Sequence, residues 1–502
     1  MAERLLTSSE MKECDRHTIE DIGIPSRALM ERAAESVVRE IISSGLDISR
    51  TIVICGAGNN GGDGFAVARF LAQRARENGI DHDIKTFFIG DEANMSEGCR
   101  LQQSLSADSG IKESSEAIPK GTTLIIDAIF GIGLTREVSG KYKDIIDRIN
   151  ASDSPTVSVD IPSGINADTG AVMGTAVKAD ITVTFAAYKR GLYLYPGAEL
   201  CGKLIKADIG IGTETLKNSN MVFTASEPPF PIPKRIMQSN KGTYGKVLIV
   251  GGAKNMAGAA YLSAKAAYRT GAGLVRIFTT EENRIILQTL LPEAVLVTYS
   301  PNATDDEIKK LLTFSVSDAT AIVAGPGLSQ SKQVKLQLEA VLENAKVPLI
   351  IDADGLNIMA SNPKLWSKIK VPTIITPHMG EMSRLTGLDI AELKADPIEH
   401  CKAFAKGKNA ICVMKDARTT VSDGKNIYLN STGNSGLSKG GSGDVLTGVI
   451  GALLAQGMSL FEAACTGVFL HGKAGELASE VLTEYSLLAR DIADFLPRAM
   501  KP

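Results

Sequence analysis

Short continuous apolar runs, separated by stretches of helical character, recur along both halves of this chain. In the first half they are Thr51–Cys55, Lys85–Ile89, Thr123–Ala128, Thr156–Ile161 and Asp180–Phe185. In the second half one lies within Gly245–Gly252, followed by Leu274–Thr279, Ala321–Ala324, Pro348–Asp352, Thr373–Thr376 and Ala410–Met414. A run that is apolar at successive positions is buried on both faces, which requires a parallel sheet covered by helices on both sides. The pattern predicts an α/β chain with two doubly wound domains, because 502 residues exceed what one core supports.

The division falls at Glu227–Pro233, where four prolines in seven residues exclude a helix or a central strand. The expected organisation is a domain over residues 1–212, a linker over 213–235 and a second domain over 236–502. Ahead of the first strand, Met11–Ile19 and Ala28–Ile42 read as amphipathic helices, and Thr7 with Glu10 predicts a capping box for the first. An alanine-rich helix is expected over Ala257–Thr270. No internal repeat aligns the two halves, so two different domains are expected.

A formal net charge of −3 and an isoelectric point near 6.1 give no basic footprint, so nucleic acid is not an expected partner. No stretch reaches about 18 uninterrupted apolar residues, so no membrane partner is expected either. The charged N-terminal residues do not read as a signal peptide, which makes the cytoplasm the expected location. Seven scattered cysteines without a C-x-x-C pair predict neither a disulfide framework nor a structural zinc site. The five histidines show no metal-ligand spacing.

In the first half, Gly56–Gly61 matches G-x-G-x-x-G after a strand and before the helical stretch Phe65–Arg76. That is the context of a dinucleotide-binding turn. Asp127 ends the third strand before a glycine loop, and Val159–Gly164 ends the fourth with Asp160 and Ser163. Strand carboxyl ends line the ligand crevice of an open parallel sheet. Asn60, Asp127 and Ser163 therefore form a candidate set of oxygen ligands, whose single carboxylate suits a monovalent cation better than Mg²⁺ or Zn²⁺. The segments 23–34 (GIPSRALMERAA), 58–64 (GNNGGDG), 127–133 (DAIFGIG) and 159–164 (VDIPSG) resemble the NAD(P)HX epimerase family. The resemblance covers roughly residues 10–212. It implies a Rossmann-like fold, a potassium ion on Asn60, Asp127 and Ser163, and epimerisation at C6 of hydrated NADH or NADPH. Substrate would then meet Asn59, Asn60, Gly61, Gly62 and Asp63, the loop Gly131, Ile132, Gly133, Leu134, Thr135, Arg136 and Glu137, and Asp160. Asp160 is the candidate proton-transfer group.

In the second half, Gly440–Gly443 and Asp444 directly precede the apolar run Val445–Ile450. Glycines admit close backbone approach, and a helix starting there directs unpaired N–H groups at an anion. An aspartate beside a phosphate cradle can take the proton of an attacking hydroxyl. Asp352 and Asp354 follow one strand, His378 and Glu381 the next, and Lys415 the next. Neither a Walker A motif nor a protein-kinase signature is present.

The segments KGTYGKVLIVGG, VAGPGL, DADGLN, TPHMGE and GGSGDVLTG resemble the ribokinase-like superfamily, and within it the NAD(P)HX dehydratases. This resemblance covers roughly residues 236–495. It implies a ribokinase-like domain, Mg²⁺ with ADP or ATP, substrate at Ala272, Gly327, His378 and Asp444, and nucleotide at Lys415, Asp416, Ala417, Arg418, Thr419, Gly440, Gly441, Ser442 and Gly443. Both resemblances together imply a bifunctional NAD(P)H-hydrate repair family, acting on NADHX and NADPHX and assembling as a homo-oligomer. A small-molecule kinase with an accessory dinucleotide-binding domain and a non-catalytic nucleotide sensor remain as other readings of the same motifs.

Overall fold

The computed structural model describes residues 2–213, 216 and 221–501. It comprises two compact units, Glu3–Asn218 and Ser219–Pro502, the latter grouped with Met1–Ala2. The strands of the first are β1 (Ala2–Leu6), β2 (Thr51–Cys55), β3 (Lys85–Phe88), β4 (Lys112–Glu113), β5 (Leu124–Ala128), β6 (Thr156–Val159), β7 (Ile181–Phe185), β8 (Tyr188–Lys189) and β9 (Lys203–Ala207). Its main sheet has the order β4-β3-β2-β5-β6-β7-β9, with every neighbouring pair parallel. β1 lies parallel to β8, with Leu5 opposite Tyr188. The chain leaves β2 towards β3 and β4, then returns to β5 on the other side of β2. This reversal opens a crevice beyond the carboxyl ends of β2 and β5.

β2, β5, β6 and β7 are buried at every position, which is why they read as unbroken apolar runs. The first helix, Ser8–Arg16, carries the Thr7–Glu10 capping box. The helix after β2 begins at Asn59 rather than near Phe65, so the glycines expected in a loop form its first turn.

The second unit contains β10 (Val222–Ala225), β11 (Lys246–Val250), β12 (Leu274–Thr280), β13 (Val295–Tyr299), β14 (Ala321–Ala324), β15 (Leu349–Ile351), β16 (Thr373–Ile375), β17 (Ile411–Met414), β18 (Thr420–Ser422) and β19 (Ile427–Leu429). Their order is β13-β12-β11-β14-β15-β16-β17-β18-β19-β10. β11 to β17 pair in parallel. β17, β18 and β19 form an antiparallel meander, and β10 adds in parallel to β19. The reversal point lies between β11 and β14. Part of the segment expected to be a linker is thus a buried strand, Val222–Ala225. Its β-branched and aromatic residues precede the prolines, which stay outside the sheet.

The helices Ala257–Arg269 and Ser442–Ala455 pack closely because Gly448 leaves no side chain between them. A Cβ there would lie 2.0 Å from the Ser263 carbonyl oxygen. Helix Ser442–Ala455 is buried from Val445 through Leu454, and each fully buried Leu, Ile or Val contributes about 1.5–3 kcal/mol. Its N-terminus is therefore held rigidly at the crevice. All seven cysteines are buried. Among the described residues no helix is long and apolar enough to cross a membrane.

Candidate active sites

In the first unit a cleft of about 950 Å³ opens beyond β2 and β5. It is lined by Asn59, Asn60, Asp63, Asp160 and the loop Gly131–Arg136, so these expected substrate residues share one cleft. Gly61, Gly62 and Glu137 are not part of that lining. A Cβ on Gly61 would lie 1.8 Å from the Gly56 carbonyl oxygen, and one on Gly62 would lie 3.0 Å from both Cys99 Cα and Met30 Cε. Gly61 sets how closely the helix approaches the turn after β2, and Gly62 how closely it approaches the helices Ser26–Ser43 and Glu97–Asp108. Gly61→Ala is expected to destabilise this unit by about 3 kcal/mol or more through overpacking against backbone. Thermal unfolding should show the first unit melting earlier while the second is unmoved.

Beneath the cleft floor, Asp127 at the end of β5 is fully buried. It accepts hydrogen bonds from Ser163 Oγ (2.5 Å), Ser163 N (2.8 Å), Ser158 Oγ (2.8 Å) and Ile129 N (3.3 Å). Burial pushes its carboxyl above the ordinary range, against these bonds, which pull it down. Ser163 Oγ also accepts from Phe130 N at 2.8 Å and lies 3.3 Å from the Phe130 carbonyl oxygen. Asn60 Nδ2 reaches that same carbonyl at 3.1 Å. Asn60, Asp127 and Ser163 therefore meet around the Phe130 main chain. Among the described residues no Lys, Arg or His pairs with Asp127. A buried carboxylate ringed by neutral oxygens fits a weakly hydrated monovalent cation, with no geometry for a harder ion.

Two further groups in this cleft escaped sequence reasoning. Lys189, 1% exposed, pairs with Asp160 at 2.5 Å. Asp15, on the first helix, lines the cleft; burial and the nearby Asp160 push its carboxyl up to about 6. Nothing in the spacing marks Lys189, which Arg190 follows directly, or Asp15.

In the second unit the carboxyl ends of β15 and β17 and the start of helix Ser442–Ala455 converge. Lys415 Nζ bonds Asp352 Oδ1 at 2.8 Å. A Cβ on Gly443 would lie 3.1 Å from Lys415 Nζ and 3.6 Å from Asp352 Oδ2, so this glycine admits the ion pair against the helix start. Gly441 takes the left-handed conformation (φ 93), and as N-cap it makes no side-chain cap bond. Ser442 N donates to the Lys439 carbonyl at 3.3 Å, and the next N–H groups of the helix, those of Gly443 and Asp444, remain available to an anion. Asp444, in that first turn, has its carboxyl pushed up to about 7 by burial and by Asp352, against the pull of Lys415. Burial alone would lower the Lys415 ammonium, but Asp352 and Glu381 outweigh it and hold it above the ordinary lysine range.

His378 caps helix Met379–Thr386, its Nδ1 accepting from Gly380 N at 3.0 Å and Glu381 N at 3.4 Å. It is exposed on the crevice rim, and burial with the Lys415 charge lowers its pKa. Nδ1 being an acceptor assigns the proton of the neutral ring to Nε2. Along the loop from β17, Lys415 turns inward, whereas Asp416 faces Lys394 at 3.6 Å and Arg418 bonds the Ser431 carbonyl at 2.9 Å. Thr419 Oγ1 lies 3.5 Å from the Asp416 carbonyl, and Ala417 is exposed in the same turn.

Gly327 (φ 57) abuts Ala259 and Met256, bringing the start of helix Ala257–Arg269 to the crevice. Ala272 does not join the site. It precedes β12, whose Leu274 pairs with Lys246 at the amino end of β11. It therefore sits in the core at the opposite end of the strands. Sequence reasoning also missed His471, whose Nε2 lies 3.1 Å from Ser442 Oγ and 3.0 Å from the Ser442 carbonyl. Burial lowers its pKa to about 4, which leaves it a neutral partner of the glycine-rich turn.

Two family models match the chain: "YjeF-related protein N-terminus" over residues 26–191 and "NAD(P)H-hydrate dehydratase" over 247–498. A bifunctional NAD(P)H-hydrate repair enzyme of Coxiella burnetii is 36% identical over 99% of this chain and 99% of its own length. Proteins of the same name from Thermofilum pendens (35%, covering 98% and 95%) and Escherichia coli (34%, covering 99% and 93%) are similar over nearly the whole length. A solved ADP/ATP-dependent NAD(P)H-hydrate dehydratase of Bacillus subtilis, co-crystallised with ATP/Mg²⁺, is 34% identical. It covers 53% of this chain and 93% of its own, with a TM-score of 0.47. With both matched segments in order and similarity spanning the full length, the chain belongs to the family of bifunctional NAD(P)H-hydrate repair enzymes.

Proposed function

We propose that the chain restores hydrated NADH and NADPH in the cytoplasm through two sites acting in series. The Rossmann-like unit interconverts the C6 epimers, and the ribokinase-like unit dehydrates one of them at the expense of ADP, giving AMP and phosphate. The observation that carries this reading is Asp444, whose raised carboxyl stands in the first turn of a helix with open N–H groups. Asp444 accepts the proton of the substrate C6 hydroxyl as the terminal phosphoryl group is transferred to it. The Gly440, Gly441 and Gly443 amides and Lys415 stabilise charge on that group. Hydroxide leaves poorly, whereas phosphate is expelled by the ring nitrogen lone pair, and loss of a proton restores the dihydropyridine. Mg²⁺ bound with the nucleotide would neutralise the charge of its phosphates.

Incubating the chain with ADP and hydrated NADPH tests this. Return of dihydropyridine absorbance with stoichiometric phosphate is expected; a stable phosphorylated hydrate would instead mark a small-molecule kinase.

Asn60, Asp127 and Ser163, with the Phe130 carbonyl, would hold potassium, which supplies a fixed positive charge beneath the cleft. If so, the first unit melts higher in potassium than in lithium chloride at equal ionic strength, and Ser163→Ala removes the difference. Saturating an ion site at about 100 times its Kd contributes about 2.7 kcal/mol, a shift of several degrees. Exposed Ile285 (80%) and Leu290 (50%) beside edge strand β13 support assembly as a homo-oligomer.

A further inference from the structure

Asp160 follows β6 with a left-handed backbone, φ 66, which a non-glycine residue adopts only when its surroundings hold it there. Three donors converge on its Oδ1: Lys189 Nζ at 2.5 Å, Thr184 Oγ1 at 3.2 Å and Phe185 N at 3.2 Å. Lys189 Nζ also donates to Thr184 Oγ1 at 2.9 Å and to the Phe185 carbonyl at 3.0 Å. All three of its N–H bonds are thereby used, so Lys189 has none to give a ligand. Oδ2 is the Asp160 oxygen left for the cleft.

Asp63 and Asp15 line the same cleft, so three carboxylates share one buried ammonium group. The exposed Lys12, Arg136 and Asp91 complete the charged lining, and the Cys99 thiol, which donates to the Gly56 carbonyl at 3.5 Å, lies near enough to Asp63 to feel its charge. Burial, then Asp160 and Asp15, push the Asp63 carboxyl well above the usual carboxylate range. Two carboxyl groups in one cleft thus have opposite environments, one tied to an ammonium ion and one not, which is how acid and base roles separate.

We propose that Asp63 and Asp160 form an acid–base pair across the epimerase cleft, with Lys189 as the positioning residue that holds Asp160 Oδ1 and leaves Oδ2 to the cleft. This rests on the epimerase reading above. Asp63 gives its proton to the C6 hydroxyl, which leaves as water with the electrons of the C6–O bond. The ring nitrogen lone pair forms the C6–N double bond, giving a planar cation. Water adds to the other face, and its proton passes to Asp160 Oδ2. Exchange of that proton with solvent, and reprotonation of Asp63, restore the pair, so the net change is inversion at C6. The excess of carboxylates over ammonium stabilises the cation rather than a neutral ring-opened form.

The test follows interconversion of separated epimers by the full-length chain without nucleotide, across pH and in ¹⁸O-water. The wild type should give a bell-shaped profile and take up ¹⁸O at C6 as it epimerises. Asp63→Asn should lose about 100-fold or more and the high-pH limb with it. Lys189→Met should lower the rate and move the low-pH limb upward by about one pH unit or more. Thr184→Val removes a donor to the same oxygen without removing a charge. It should move that limb the same way by less, and it keeps the test decisive if Lys189→Met does not fold. A high-pH limb retained in Asp63→Asn, a low-pH limb unmoved in Thr184→Val, or epimerisation without ¹⁸O uptake would overturn the pair. A wild-type chain that leaves the epimers unchanged would instead refute the epimerase reading, and the pair with it.

Discussion

Asp444→Asn is expected to reduce nucleotide-dependent dehydration by about 10²–10⁴-fold, the loss typical of a missing general base, while epimer interconversion is unchanged. The wild-type pH profile carries the same information. Because burial and Asp352 push this carboxyl up to about 7, the base is mostly protonated below that pH. kcat/KM for dehydration should then fall tenfold per unit on the acid side. The sign for stability is opposite. A carboxyl whose pKa is raised from 3.8 to about 7 on folding binds its proton more tightly in the native state, so its effect on stability worsens as pH rises through that window. Asparagine, lacking the charge, should raise the melting temperature of the second unit at pH 8 even as it removes activity. A parallel loss of stability and activity would show that Asp444 is a structural residue.

Lys415→Met should affect stability and chemistry together. Lys415 Nζ lies 2.8 Å from Asp352, whose side chain is 2% exposed. Removing one partner of such a pair costs about 3–5 kcal/mol, because the remaining charge stays buried without compensation. That deficit should shrink as pH falls and the carboxylates take up protons. Lys415 also pulls the Asp444 carboxyl down, so any remaining dehydratase activity should have its acid limb displaced to higher pH. Differential scanning calorimetry and a pH–rate profile on the same variant measure both. A variant as stable as the wild type at neutral pH would mean that the pair is not buried in solution.

What the sequence disclosed follows from where the constraints are local. β2, β5, β6 and β7 were legible because both faces of each are buried, leaving runs without polar interruption. Asp127, Asp160 and the Lys415 turn were legible because a parallel sheet places its ligand groups at strand carboxyl ends. The start of the helix at Asn59 was not, since glycines demanded by close packing look like glycines demanded by a loop. Val222–Ala225 was hidden by the prolines that follow it. β18 and β19 belong to an antiparallel meander after β17 and so fall outside the alternation of strand and helix that marks the other strands. Lys189, Asp15 and His471 come to their sites from elements distant in the chain, and only the packing reveals them. Ala272 shows the converse, as a residue in a glycine-rich motif that the direction of β12 carries away from the crevice.

The central claim is that two sites on one chain act in series on the two epimers of a hydrated cofactor. The most direct measurement supplies each purified epimer of hydrated NADPH, with ADP, to the intact chain and to its Asp160→Ala and Asp444→Asn variants, and follows NADPH formation. The intact chain should convert both epimers to completion. Asp160→Ala should convert one at the normal rate and leave the other to spontaneous interconversion, and Asp444→Asn should convert neither. An Asp160→Ala chain that consumes both epimers as fast as the intact chain would contradict the account.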